Sequence, residues 1–294
     1  MNPKVYASLI FVTMLSMGLA FPVGRIGLDY APPFLLMCIR FVAAGLLMAA
    51  FTARRAKPKD VSSWLRIALI GTLNSAGIMG CSYYSMRWIS SGESAILIFV
   101  NPLLVILFGA LFLKARYRVV QWAGVALGFA GVFSTMGAHL SMNPGTLISL
   151  LGACCFAAST LLIKRWGQEL DTWVLTGYQM LFGGIVLGLL SVLFEHPRIE
   201  LGSGFYFSLA WLVLVNSILQ FSGWSYLLKR GDPAKTNAFL FLAPFFGVIG
   251  GAVLLGEPLH AYVAAGGAMI CAGIFLVNWR GTAPRSAATT ARQA

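Results

Sequence analysis

The sequence predicts an all-α polytopic membrane protein with ten transmembrane helices, folded as two inverted five-helix repeats. Three observations predict it. The chain of 294 residues is 59% hydrophobic and only 10% charged, with a mean hydropathy of +0.82, which leaves too little polar surface to cover a soluble globule. Its apolar residues gather into ten stretches of roughly 20 residues, each long enough to cross the about 30 Å hydrocarbon core as a helix. The last five stretches repeat the first five at a fixed spacing.

The first stretch runs from Lys4 to Phe21 and is expected to end at Pro22, which cannot donate to a helical bond. A lysine ahead of an apolar run mimics a secretory leader. This run is too long and lacks a small-residue cleavage site, so it reads as a retained span. The remaining stretches cover 32–53, 62–86, 92–113, 118–138, 145–165, 172–194, 204–228, 233–255 and 259–279. Residues 281–294, rich in Ala, Thr and Arg, have no apolar periodicity and are expected to form a disordered cytoplasmic tail.

The repeat is clearest in Ser90-Ser91-Gly92-Glu93 through Pro102 to Leu113, which returns as Asp232-Pro233-Ala234-Lys235 through Pro244 to Leu255. The two prolines are 142 positions apart. The same offset, without a gap, brings Asn74-Ser75 onto Asn216-Ser217, Tyr84 onto Tyr226, Phe99 onto Phe241, Gly124 onto Gly266 and Gly131 onto Gly273. The repeats are assigned to residues 1–140 and 141–280. Five is an odd number of crossings, so the second copy enters the membrane from the opposite side. Such inverted repeats recur in secondary transporters, whose substrate site lies near the midplane between the halves.

Charge gives the orientation. Of 21 Lys and Arg residues, seventeen fall in one set of alternate connections and tails. The opposite set holds only Arg25, Arg87 and Arg198, and Arg40 lies inside the second stretch. Both termini are therefore expected in the cytoplasm. The net charge of +12 is a topology signal directed at anionic lipid headgroups, and no nucleic-acid partner is implied. The five cysteines all lie inside apolar stretches without a CxxC pair and read as small packing residues.

The run from Pro233-Ala234 through Pro244 and Leu255-Gly256-Glu257-Pro258 to Gly266 and Gly273, echoed at Pro102, Leu113, Gly124 and Gly131, resembles the ten-helix EamA-type members of the drug/metabolite transporter superfamily. Met17-Gly18-Leu19-Ala20-Phe21 is similar to the family's opening helix, with Met17 where a Trp is common. Ala115 stands where many first repeats carry the acid matched here by Glu257. The likeness covers residues 5–280 and extends to bacterial aromatic amino-acid exporters. It implies an exporter of small metabolites, amino acids prominent among them, with helices 1, 3, 4, 6, 8 and 9 around a central cavity.

The residues themselves narrow the chemistry. A charge at the centre of a span costs about 2.5–3.5 kcal/mol on insertion scales. All nine carboxylates lie at or near stretch ends, which disfavours a dedicated cation pump or a buried proton relay. Phosphorylated substrates and nucleotide sugars need several interior cations, and only Arg40 qualifies. It either snorkels and bonds backbone carbonyls or meets a substrate carboxylate. Asn216, Gln220 and Trp224 stand at i, i+4 and i+8 on one helix face, with Asn74, Ile78 and Ser82 at the matching positions. Amides in hydrocarbon need partners, supplied by neighbouring helices or by a wet cavity. Asn101 and Asn237 lie close to the helix-bending prolines, and Met17, Phe99 and Phe241 are candidate apolar walls. Pro102 and Pro244 are hinges or static bends. Glu93 and Lys235 stand at equivalent positions with opposite sign, as a gating pair or, on the stronger reading, as helix starts: Ser90-x-x-Glu93 fits a capping box and Asp232-Pro233 an N-cap followed by proline at N1. The Gly-x-x-x-Gly pairs at 124/128, 184/188 and 247/251 allow close helix approach, within one chain or in a dimer.

These features predict alternating-access export of small neutral or zwitterionic metabolites, amino acids first. A drug or nucleobase-type metabolite is the alternative substrate, and a channel or lipid scramblase the remoter one. An intramembrane enzyme lacks its nucleophile motif, HExxH or paired membrane acids. No cofactor or metal is expected, and the partners are the substrate and the bilayer. The monomer is taken as the working unit.

Overall fold

The structure, a computed structural model, describes residues 3–114, 117–135, 143–221, 223, 224, 227 and 239–278. Their helices are α1 (Pro3–Leu28), α2 (Pro33–Phe51), α3 (Val61–Gly71), α4 (Cys81–Ser85), α5 (Ser91–Ile98), α6 (Asn101–Leu113), α7 (Val119–Thr135), α8 (Pro144–Trp166), α9 (Thr172–Phe194), α10 (Ser203–Ala210), α11 (Leu242–Leu255) and α12 (Ala261–Asn278). These account for the ten predicted stretches. The third is α3 and α4 joined through a π-helix at Thr72–Gly80, the fourth is α5 and α6, and the eighth continues α10 through a second π-helix at Trp211–Leu219. Among the described residues five runs are long and apolar enough to span a membrane by themselves, and four more are shorter and apolar. The fold is an all-α polytopic membrane protein.

One boundary differs from expectation. α1 does not stop at Pro22 but continues to Leu28. The proline removes one bond, to the carbonyl of Gly18, from a 26-residue helix. Spans tolerate this because neighbouring helices close over the freed group. Here Gly18 lies directly against the backbone of α11 at Ala243 and Gly247, where a side chain on either glycine would meet the other helix.

The packing displays the inverted symmetry. α7 runs along α12 and α2 along α9, each pairing a helix with its own repeat mate. A Cβ on Gly124 would strike the carbonyl of Gly273, and one on Gly131 the carbonyl of Gly266. Since 124 corresponds to 266 and 131 to 273, these are one contact made twice. That reciprocity defines an isologous interface about a two-fold axis. Rising numbers in α7 meet falling numbers in α12, so the helices are antiparallel and the axis inverts one half onto the other. In the second self-pair, Gly184 packs on its own mate, Val42.

The connections sort onto two ends. Where α1 meets α2, the chain touches the loops between α4 and α5 and between α9 and α10. We call this the loop face. At the other end, the α2–α3 connection is paired with the segment before α9, and Gln121 of α7 donates to the carbonyl of Val277 near the end of α12. This is the termini face. Between them lies an apolar core of Phe21, Ile78, Ile96 to Val100, Leu103 and Ile270.

Candidate functional site

Helix irregularities recur in matching spans of the two repeats. The two π-helices overlap under the 142-residue offset, and each contains an Asn-Ser pair, Asn74-Ser75 or Asn216-Ser217. π-turns are rare and concentrate at functional sites. Asn216 donates through Nδ2 to the carbonyl of Ser16 on α1, while Asn74 accepts through Oδ1 from Ser159 Oγ on α8 at 3.3 Å. α8 is the repeat mate of α1. Each amide thus ties its π-segment to the first helix of the other half.

The fourth span is interrupted as well. α5 ends at Ile98 with Phe99 as its C-cap, and α6 starts over at Asn101-Pro102. Pro102 cannot donate, so the carbonyl of Ile98 loses its usual helical partner. Pro244 sits in the first turn of α11, after the 3₁₀ turn Phe239–Phe241. Asn101 Oδ1 and Asn216 Oδ1 are both buried without a hydrogen-bond partner among the described residues, as is Gln179 Oε1 on α9 next to the first π-segment. Buried acceptors left this way cost free energy, which a ligand donor or a water would recover.

The other predicted residues take distinct places. Ile78 and Phe99 are buried in the large apolar core, with Phe99 5.9 Å from Phe21. Met17 packs against that core and also against the Ile10, Met14 and Leu227 cluster, where it joins Trp224. Gln220 is half-buried. Ser82 Oγ lies 2.8 Å from Ser94 Oγ, linking α4 to α5. Asn237 and the side chain of Phe241 lie outside the described residues.

Arg40 is 4% exposed. Its Nε donates to Ser217 Oγ at 3.1 Å, its guanidinium stands over the Phe41 ring at 4.9 Å, and the sulfurs of Met37 and Met79 flank Nη1. No carboxylate pairs with it among the described residues. Burying a guanidinium with only neutral partners is costly, and an anionic group beside it would offset that cost.

Two carboxylates fasten the loop face. Glu257, after α11, accepts from Ser91 N at 2.8 Å, Ser91 Oγ at 2.9 Å and Gly92 N at 3.2 Å. Glu195, ending α9, accepts from Phe34 N at 3.1 Å and Leu35 N at 3.3 Å and pairs with Arg87 at 3.5 Å. α2 begins at a proline without a side-chain cap of its own, and Glu195 supplies one from the other repeat. α5 already has the predicted Ser90/Glu93 capping box, so Glu257 adds a bond between halves to a completed cap.

The EamA-like transporter family matches the chain twice, over residues 4–137 and 143–279. The chain belongs to this family. As an EamA-like transporter it is a multi-pass integral membrane protein that carries small molecules by secondary, alternating-access transport. It is similar to the uncharacterized inner membrane transporter YedA of Escherichia coli (30% identity, covering 85% of this chain and 83% of that one). It is also similar to the uncharacterized transporter YvbV of Bacillus subtilis, with 27% identity over 97% and 96% of the two chains. A solved crystal structure shares the fold, with a TM-score of 0.65 at 21% identity, covering 93% of this chain and 96% of that one.

Sequence reasoning missed several parts of this EamA-like transporter. Gln179 sits in a span read only as apolar, although a lone amide in such a run was the available signal. Glu195 and Glu257 register as helix-end acids, and nothing local shows that each reaches a helix 160 or more positions away. The π-helices leave no mark in composition.

Proposed function

We propose that the chain exports small neutral or zwitterionic metabolites, foremost amino acids with aromatic or hydrophobic side chains. The repeats, residues 1–140 and 141–280, rock about a cavity between them. The observation that supports this most is the pair of buried, unpartnered amide oxygens at Asn101 and Asn216, set at a helix break and a π-helix. Such oxygens accept from an ammonium. Arg40, buried without an acid partner, takes a carboxylate. Among the described residues the one acid within a span, Glu93, sits in the first turn of α5 and is committed to its capping box, so no acid deeper in a span competes for the two ends of a zwitterion. Met17, Ile78, Phe99 and Trp224, with Phe241 by symmetry, supply apolar walls, and Asn74, Ser82, Gln220 and Asn237 the polar remainder. Pro102 and Pro244 act as hinges. The lysine and arginine bias puts the termini face in the cytoplasm, with the monomer as the working unit.

Counterflow in proteoliposomes tests the reading. Trapped unlabelled phenylalanine should accelerate entry of labelled phenylalanine, because a carrier returns faster when loaded. Acceleration by nucleobases but by no amino acid moves the substrate class. Uptake that no trapped solute accelerates means a channel.

A further inference from the structure

The only three arginines on the sparsely charged side of the charge pattern come from three separate places in the chain: Arg25 from the last turn of α1, Arg87 from the α4–α5 connection and Arg198 from the α9–α10 connection. In the fold they line one pocket of about 340 Å³ at the loop face, together with Asp29 and Glu200. That volume lies within the about 300–1,000 Å³ typical of small-molecule sites. The walls are held in place: Arg25 donates to the carbonyl of Met86, Glu200 N donates to the carbonyl of Tyr30 at 2.8 Å, and the Tyr30 ring rests on Gly202 and Gly204.

Charges of both signs therefore share a pocket without neutralising one another. Among the described residues neither Asp29 nor Glu200 forms an ion pair, and Arg198 makes no hydrogen bond or salt bridge. Arg87 is half-committed to Glu195 and to the Tyr84 ring. A bare anion would gain from the arginines but be repelled by the two acids. A cation would face the reverse. A ligand with an anionic group and an ammonium a few bonds apart satisfies both sets.

We propose that this pocket is a second, loop-face site for a zwitterion, separate from the buried amides, where solute pauses between the cavity and the outside. Its assignment as an exit site rests on the export reading above. The same paired chemistry occurs in the phosphate and ammonium of a phosphatidylethanolamine headgroup.

Phenylglyoxal modification of arginine, read by mass spectrometry, resolves the site. Arg198 is compared with Arg54, which is exposed on the termini face. Phenylalanine should slow modification of Arg198 several-fold and leave Arg54 unchanged. Phenylalaninamide, without the anion, and N-acetylphenylalanine, without the cation, should each protect far less. Glu200→Gln, at an exposed side chain without a bonded partner, should erase the advantage of phenylalanine over N-acetylphenylalanine. The assay is run in lipid-free detergent and in nanodiscs with and without phosphatidylethanolamine. Protection by phenylalanine in detergent assigns the zwitterion to free solute, and protection that follows phosphatidylethanolamine assigns it to the headgroup. No protection in any arm, or equal protection by N-acetylphenylalanine, overturns the site. Loss of protection with counterflow intact removes this pocket alone, whereas protection without counterflow removes the transport reading alone.

Discussion

The two faces of the bundle are related by a two-fold axis yet fastened by different chemistry. At the loop face, Glu195 and Glu257 reach from the second repeat onto helix N-termini of the first, and the side chain of Glu195 is 1% exposed. The repeat offset places Ala53 and Ala115 at the matching positions of the termini face, and Pro233 where Ser91 offers its N–H. The ion pairs described there, Arg55–Asp171 at 3.0 Å and Arg66–Glu169 at 3.2 Å, are exposed. Symmetry in the spans gives a carrier two equivalent shapes, so a preference between them has to come from asymmetry such as this at the ends. Carboxylates bonded to helix-end amides, buried at Glu195 and half-buried at Glu257, hold more firmly than surface pairs, which are worth about 0.2–1 kcal/mol. The loop face is thus the clasped one.

Removing the clasp should have the largest effect. Glu257→Ala deletes three charge-assisted bonds, and a loss of about 3 kcal/mol moves a two-state balance by about 100-fold. A cysteine at Ala95, which is fully buried one turn below Ser91 and packed on Gly247, reports the opening in a background with the native cysteines replaced. An impermeant maleimide added from the loop face should label it about tenfold faster or more in Glu257→Ala. Unchanged labelling would mean that the clasp does not hold this end shut.

Restoring the missing half should act the other way. Ala115→Glu alone should do little, because Pro233 has no N–H to donate. Paired with Pro233→Ser it builds a clasp at the termini face and should slow counterflow several-fold. If the single and double variants behave alike, the ends are not equivalent in the way the repeat implies.

Glu195→Ala tests stability more than gating. It leaves the Phe34 and Leu35 amides uncapped and strips Arg87 of its partner. A loss of about 1–3 kcal/mol is expected, seen as a lower Tm in detergent. Glu195→Gln should recover part of it, since one oxygen still accepts.

How much of this was legible depends on how local the cause is. The bounds of α8 and α9 and the Ser90/Glu93 box follow from neighbouring residues, and the structure has them where the pattern puts them. α1 passed its proline because α11 closes over Gly18, and no residue near Pro22 announces that. The i, i+4, i+8 face of Asn216, Gln220 and Trp224 assumes 3.6 residues per turn, but Asn216 lies in a π-helix whose i→i+5 bonds widen it. So Asn216 is buried against α1 while Gln220 and Trp224 are half-buried further along. The three loop-face arginines were visible as exceptions to a charge rule, and only the fold shows that they converge.

The smallest effect belongs to the termini face and follows from its exposure. Asp171 caps α9 by accepting from Trp173 N at 2.8 Å and Val174 N at 3.2 Å, and it meets Arg55. Partial desolvation pushes its carboxyl up, but the backbone amides and Arg55 outweigh this and hold it below the usual carboxylate range. A depressed folded-state pKa means that the stabilisation is present above the unfolded carboxylate's pKa of about 3.9 and is lost as pH falls through the lower folded value. Asp171→Asn keeps one accepting oxygen and loses the charge, so it should lower stability by about 0.5 kcal/mol, less in high salt, where an exposed pair is screened. The Glu195 variants, whose carboxylate is buried, should respond to salt far less. Melting curves at low and high ionic strength check both. An Asp171→Asn deficit that persists in high salt, or a Glu195→Ala deficit that salt removes, would reverse the contrast between the faces.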